Sequence, residues 1–204
     1  MTIFFHTNDL PNHFTASSAV AIDSETMGLN IVRDRLCVLQ FSNGDGSAHL
    51  VQFEWGNNYA CPNIKALLVN QQVQKIFHYA RFDLACLQHY LEVETQNIYC
   101  TKIASKLVRT YTESHGLKSL CEELLGVELS KKQQSSDWGN ETISRKQQEY
   151  AAHDVLYLHQ LQQKLTAMLK REGRYEYFVE CLKFLPTRIR LDLAGFETTD
   201  IFTH

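Results

Sequence analysis

Residues 35–53, RLCVLQFSNGDGSAHLVQF, constrain the fold of this chain more than any other stretch. Two apolar runs flank Asn43-Gly44-Asp45-Gly46. Asn and Asp followed by Gly tolerate the positive φ of a tight hairpin, so 35–42 and 47–53 are expected as antiparallel strands. AVAID at 19–23 reads as a buried strand joined to the same hairpin unit. Beyond it the pattern alternates. A helix is expected over 62–70, with Pro62 in its first turn. A short strand follows at 74–78, a helix at about 80–91 and a strand near 96–99. Helices are expected at about 101–110 and 116–125, with Gly116 and Gly126 as breaks. Strands joined through helical crossovers lie parallel. The order therefore predicts an α/β fold, a mixed central sheet flanked by helices.

The stretch ELSKKQQSSDW, 128–138, is polar and irregular. Ser144 then reads as an N-cap, and Gln147 completes a capping box. Apolar residues at 155, 158, 161, 165 and 168 share one helical face, which predicts a helix to about 171, ahead of Gly173. No repeat or linker divides the 204 residues, so one domain over 1–204 is expected. Its C-terminal stretch, about 175–204, is rich in apolar residues (Phe178, Phe184, Leu185, Leu191, Leu193, Phe196) and is expected to contribute oligomer contacts.

The net charge is −3. A protein that neutralises many phosphates carries a basic surplus, so any nucleic-acid contact should be short or local. The six cysteines form no Cys-x-x-Cys pair and mostly sit in apolar runs. They read as reduced thiols of a cytoplasmic protein. MTIFFHTNDL lacks the basic start and long apolar core of a signal peptide, and no run approaches the ~20 apolar residues that span a bilayer. No membrane partner is expected.

Three short motifs carry the chemistry. Asp23 and Glu25 end the first core strand, and residues i and i+2 of a strand share a face. Two such carboxylates repel unless a cation lies between them, and Mg²⁺ or Mn²⁺ prefers oxygen ligands. Asp83 opens an otherwise apolar helix in IFHYARFDLACL, 76–87. Tyr150 and Asp154, in EYAAHDVLYLHQL, lie four apart on one helical face. Taken singly, each has an ordinary explanation as a solvated acid, a helix-dipole partner or a chance spacing.

Together the three motifs resemble those of the DEDD superfamily of 3′→5′ exonucleases, in the branch with Tyr in the third motif. The resemblance extends to ribonuclease D-like proteins through FHYARFDL, KKQQSSDW and YAAHDVLYL. Through GLNIVRDRLCVLQFSNGDG, CTKIASKLVRTYT and FLPTRIRLDLAGFETTDIF it extends to the bacterial nanoRNase C family. It implies a ribonuclease H-like fold and a catalytic set of Asp23, Glu25, Asp83, Tyr150 and Asp154. It also implies two divalent cations, Mg²⁺ or Mn²⁺, held by the four carboxylates, and a homo-oligomeric ring such as an octamer. Thr26, Met27, Gly28 and Leu29 match positions that hold a substrate's 3′ end, with core capping as the alternative for Met27 and Leu29. The implied substrate is short RNA, dinucleotides included, cut to nucleoside 5′-monophosphates. Trimming of structured RNA, 3′→5′ cleavage of DNA, and a catalytically dead binding protein are the alternatives.

Basic residues are local. Lys102, Lys106 and Arg109 are expected on one helical face, and Lys131 and Lys132 precede Gln133–Trp138. His78, Arg81, Lys102, Gln134 and Ser136 are expected near the substrate.

Overall fold

The computed structural model describes residues 1–130 and 136–204. Six strands form one mixed sheet in the order β1-β4-β3-β2-β5-β6: β1 Thr2–Thr7, β2 Ala19–Thr26, β3 Leu36–Ser42, β4 Ser47–Gln52, β5 Gln74–Phe77 and β6 Ile98–Cys100. The hairpin behaves as its turn dictates. β2 and β4 both pair antiparallel with β3, while β5 and β6 add in parallel after their crossovers.

Helices cover both faces: α1 Pro62–Val69, α2 Ala80–Leu91, α3 Thr101–Val108, α4 Leu117–Leu120, α5 Arg145–Leu156, α6 Leu158–Arg171 and α7 Tyr175–Leu191. Alternation along β2 divides the core. Val20 and Ile22 pack with Ile64, Leu68, Leu84, Leu87 and Ile189, from α1, α2 and α7. Ala21 packs with Val155, Leu158, Leu161 and Leu165, from α5 and α6. Every residue of β3 is buried, as befits a central strand.

Three features differ from the sequence reading. β1 is an additional strand, parallel to β4 at the sheet edge. Phe4 and Phe5 are adjacent and both exposed, so the strand lacks the buried alternation that would announce it. The helix expected up to 171 is two helices. Tyr157, with φ −103° and ψ −6°, interrupts it without a Gly or Pro signal. The helix expected at 116–125 is one α-helical turn followed by a π-helical segment, Cys121–Leu125. Within the C-terminal stretch, α7 buries Phe178, Leu185 and Ile189 against the core. Phe184, Phe196, Ile201 and Phe202 remain partly exposed on the same stretch.

The Ser144 capping box is present. The six cysteines are unpaired, and five are buried. Among the described residues no helix is long and apolar enough to cross a membrane.

Candidate active site

Three elements converge at the carboxyl end of β2. Asp23 and Glu25 project from one face of that strand, and the ladder with β3 shifts register between Glu25 and Thr26. Such a bulge ends regular pairing and re-aims the chain. Ser24 points to the other face, where its Oγ donates to Asp83 Oδ1 at 2.6 Å. Asp83 sits in the first turn of α2, only 3% exposed. The chain enters α2 from β5 through Tyr79, whose φ of 69° and ψ of 45° make the sharp turn. Asp154 comes from the last turn of α5, and the Tyr150 hydroxyl, one turn earlier, hydrogen-bonds it. Carboxylate oxygens of Asp23, Glu25 and Asp154 lie within 4.8 Å of one another.

The electrostatics follow from crowding in a recessed place. Burial, then the neighbouring carboxylates, holds Asp23 and Glu25 well above the usual carboxylate range. Burial pushes Asp83 and Asp154 up to about 7, although hydrogen bonds from Ser24 and Tyr150 oppose the shift. Among the described residues, no Lys or Arg forms an ion pair with any of the four. An all-oxygen cluster without an internal counter-charge fits a hard divalent cation. Burial first, then Asp154 and Glu25, raises the pKa of Tyr150 beyond its ordinary value, so its hydroxyl keeps its proton.

The carboxylates floor a cavity of about 730 Å³. Thr26, Met27, Gly28, Leu29, His78, Lys102 and Ser136 line it. Met27 and Leu29 are 49% and 86% exposed, so they stand at the rim and cap no core. Gly28 cannot be larger without displacing Asp34, whose carboxylate lies where a Cβ would sit. Thr26 Oγ1 donates to the Gly28 carbonyl and braces this turn. His78 Nδ1 lies 2.9 Å from Thr101 Oγ1. Burial, with Lys102 nearby, pushes its pKa down to about 3, which keeps the ring neutral. Lys102 Nζ sits 4.0 Å from the Tyr79 ring centroid, a cation–π contact that aims the chain.

Other expected residues lie elsewhere. Arg81 turns away from the carboxylates. Its Nε and Nη2 donate to Asp192 at 2.6 and 2.8 Å, and it lines a neighbouring cavity of about 480 Å³. Arg109 leaves the basic face altogether. It is fully buried and held by Glu123, Ser105 and the Ser114 carbonyl. Gln134, with Lys131 and Lys132, lies outside the described residues.

The cavity also recruits Tyr79, Phe82, Lys118 and Trp138, which sequence reasoning did not single out. Phe82 and Tyr79 flank the Asp83 motif, and that adjacency was the available signal. Trp138 is 2% exposed, its ring centroid lies 6.1 Å from that of Tyr150, and its Nε1 has no hydrogen-bond partner.

Comparison with known proteins gives the same answer as the geometry. The sequence profile of a 3′-5′ exonuclease domain matches residues 4–170. The structure of Brucella melitensis NrnC bound to pGG is 54% identical, with a TM-score of 0.95 over 100% of this chain and 99% of that one. NrnC of the same organism with bound Mg²⁺ is 53% identical, with a TM-score of 0.94 over 100% of both chains. Ribonuclease D of Acidiphilium cryptum is 29% identical over 171 residues, 84% of this chain but 43% of that protein. The chain thus spans under half the length of the ribonuclease D relatives it matches. Escherichia coli RNase D, at 24% identity and a TM-score of 0.74 over 84% of this chain and 45% of that one, shares the fold. The profile match contains the whole sheet except its first residues and all of Asp23, Glu25, Asp83, Tyr150 and Asp154, and the chain belongs to the 3′-5′ exonuclease family.

Proposed function

We propose that this chain removes nucleotides from the 3′ end of short RNA, down to and including dinucleotides, and releases nucleoside 5′-monophosphates. The observation that carries this reading is the uncompensated cluster of Asp23, Glu25, Asp83 and Asp154 at the floor of one cavity of about 730 Å³. That volume is in the range of small-ligand sites. The similarity to an NrnC that holds pGG supports a substrate of that size.

Two Mg²⁺ or Mn²⁺ ions would be held by Asp23 in common, by Glu25 and Asp154 for one and by Asp83 for the other. When bound they supply Lewis acidity and lower the pKa of bound water. The rest falls to the protein. Tyr150 stays protonated, so it orients the attacking water by hydrogen bond rather than removing its proton. The turn at Thr26–Gly28 presents backbone groups to the terminal sugar, and Met27 and Leu29 offer apolar surface to the bases from the rim. Lys102 supplies a cation for a substrate phosphate, with His78 near it and Ser136 lining the same cavity. The neutral His78 can donate or accept a hydrogen bond but adds no charge. Arg81 would reach substrate only by leaving Asp192.

The exposed Phe184, Phe196 and Phe202 suit a homo-oligomeric ring, and the reduced cysteines suit the cytoplasm.

The test is a time course with 5′-labelled RNAs of two, three, seven and twenty nucleotides, with Mg²⁺ or Mn²⁺, beside Asp23→Ala. Rapid loss of the dinucleotide with slow attack on the twenty-mer supports the proposal. Stepwise shortening of the twenty-mer at equal rate favours ribonuclease D-like trimming. Binding without cleavage overturns the catalytic reading.

A further inference from the structure

The cavity of about 480 Å³ adjoins the one that the carboxylates floor. Tyr79 and Lys102 line both, so the two meet at the Lys102–Tyr79 contact. The second cavity has the opposite charge character. Lys102 and Lys106 lie four apart on one face of α3, and both line it. Like charges at that spacing repel. Burial, then the nearby Lys106, lowers the pKa of Lys102. Among the described residues no carboxylate forms an ion pair with either lysine. The acids that line this cavity, Glu197 and Asp200, belong to the C-terminal segment. Charges of one sign are again held together without a partner, and here the partner that fits is an anion.

The C-terminal segment forms another wall. Arg81 and Arg188 hold the carbonyls of Glu197 and Thr199, which fixes the stretch leading to Phe202. The Phe202 ring lies against Phe184 of α7, with centroids 5.7 Å apart and planes tilted by 53°. Both rings line the cavity and reach solvent. Aromatic faces beside cations are the pattern that holds single-stranded nucleic acid, with bases stacked on the rings and phosphates on the cations. The volume suits a ligand of nucleotide size. An apolar patch of a second copy would cover the rings but leave the two lysines unpaired.

We propose that the second cavity binds the third nucleotide from the 3′ end of a short RNA. The phosphate that joins it to the second nucleotide lies between Lys102 and Lys106, and its base packs against Phe184 and Phe202. This rests on the exonuclease reading given above and extends it to RNA of three or more nucleotides. A dinucleotide ends before the aromatic wall and makes no use of it.

The experiment measures initial rates on 5′-labelled RNAs of two and seven nucleotides with Mg²⁺, and sedimentation, for Lys106→Ala and Phe202→Ala. Both side chains are exposed, so neither substitution disturbs the core. Phe202→Ala is expected to raise KM for the seven-mer about 5-fold or more. Lys106→Ala should raise it too, and should flatten its dependence on salt by about one phosphate contact. KM and kcat for the dinucleotide, and sedimentation, should match wild type. Seven-mer kinetics like wild type in either variant overturn the proposal. Equal loss on both substrates also overturns it, because the residues then serve the first cavity. A change in sedimentation assigns the second cavity to an interface between copies and overturns it as well. If a nucleoside monophosphate slows dinucleotide cleavage by wild type but not by Lys106→Ala, while seven-mer kinetics are equal, the occupant is free product and the proposal falls. Wild-type protein that cuts the dinucleotide but leaves the seven-mer intact overturns this proposal alone. Protein that cuts neither overturns the exonuclease reading, and this proposal with it.

Discussion

Two aspartates in this molecule are almost equally buried and are treated in opposite ways. Asp192, just past α7, has a side chain 4% exposed and is gripped by two guanidinium groups. Arg81 approaches from α2 at 2.6 and 2.8 Å, and Arg188 approaches from one turn earlier at 2.6 Å. The same arginines also hold the carbonyls of Glu197 and Thr199, so the cluster pins the C-terminal segment onto α2. Asp83, two residues beyond Arg81, is 3% exposed and receives one serine hydroxyl. It shares its surroundings with three more carboxylates. The first site supplies its own counter-charge and is structural. The second withholds it, and crowded acids without cations are useful only if the counter-charge comes from outside.

The sharpest way to break this contrast is to remove one acid from each cluster. Asp23→Ala should abolish dinucleotide cleavage by on the order of 10⁴-fold, as loss of a group that acts within a unit does. Metal-free melting should be unchanged or higher, because a repulsion is relieved. A melting temperature that falls would mean that the carboxylates support the fold after all. Tyr150→Phe comes next, with kcat reduced about 10²-fold. Its cation and substrate affinities should stay intact, as seen by calorimetry with the uncleaved substrate in Ca²⁺. Equal loss of substrate affinity would count against an orienting role.

Asp192→Ala should do the reverse of Asp23→Ala. Breaking a buried pair costs about 3–5 kcal/mol, discounted here to about 2–3 because a third of the Arg81 side chain is exposed. Thermal or urea unfolding should show that loss, while cleavage at low temperature persists. If cleavage collapses instead, the C-terminal segment belongs to the site.

A pH dependence follows from the same contrast. Asp83 and Asp154 titrate near 4 when unfolded and at about 7 when folded. The folded protein then binds more protons than the unfolded chain between those values. The corresponding stability is full below about pH 4 and is lost as pH rises through about 7. Metal-free protein should melt lower at pH 8 than at pH 5.5, and Mg²⁺ should raise the melting temperature at pH 8 far more than at pH 5.5. An equal Mg²⁺ effect at both values would remove the case for an uncompensated cluster.

The two clusters were unequally legible in the sequence. Asp23 and Glu25 share a face by strand period, and Tyr150 and Asp154 by helix period, so local geometry already paired them. Asp83 joined them through the resemblance. The Arg81–Asp192–Arg188 cluster joins residues far apart in the chain, and a long arginine can turn either way from its helix. Its position beside Asp83 suggested substrate, whereas its partner lies beyond α7. The hairpin was legible because Gly44 and Gly46 take the positive φ that the turn demands. β1 was not, because an edge strand with both phenylalanines exposed carries no burial pattern. The end of α5 at Tyr157 was hidden because a single off-helical residue needs no special side chain.

That edge strand also sets a clock. β1 pairs only with β4, in parallel, and Thr2 donates to the Gly46 carbonyl beyond the ladder. During synthesis its backbone has no partner until residues 47–52 leave the ribosome. Phe4 and Phe5 stay available to chaperones or to other nascent chains throughout that interval. Slow elongation before residues 47–52 emerge should therefore cost yield, whereas a pause once they have emerged would let the hairpin close and receive its waiting strand.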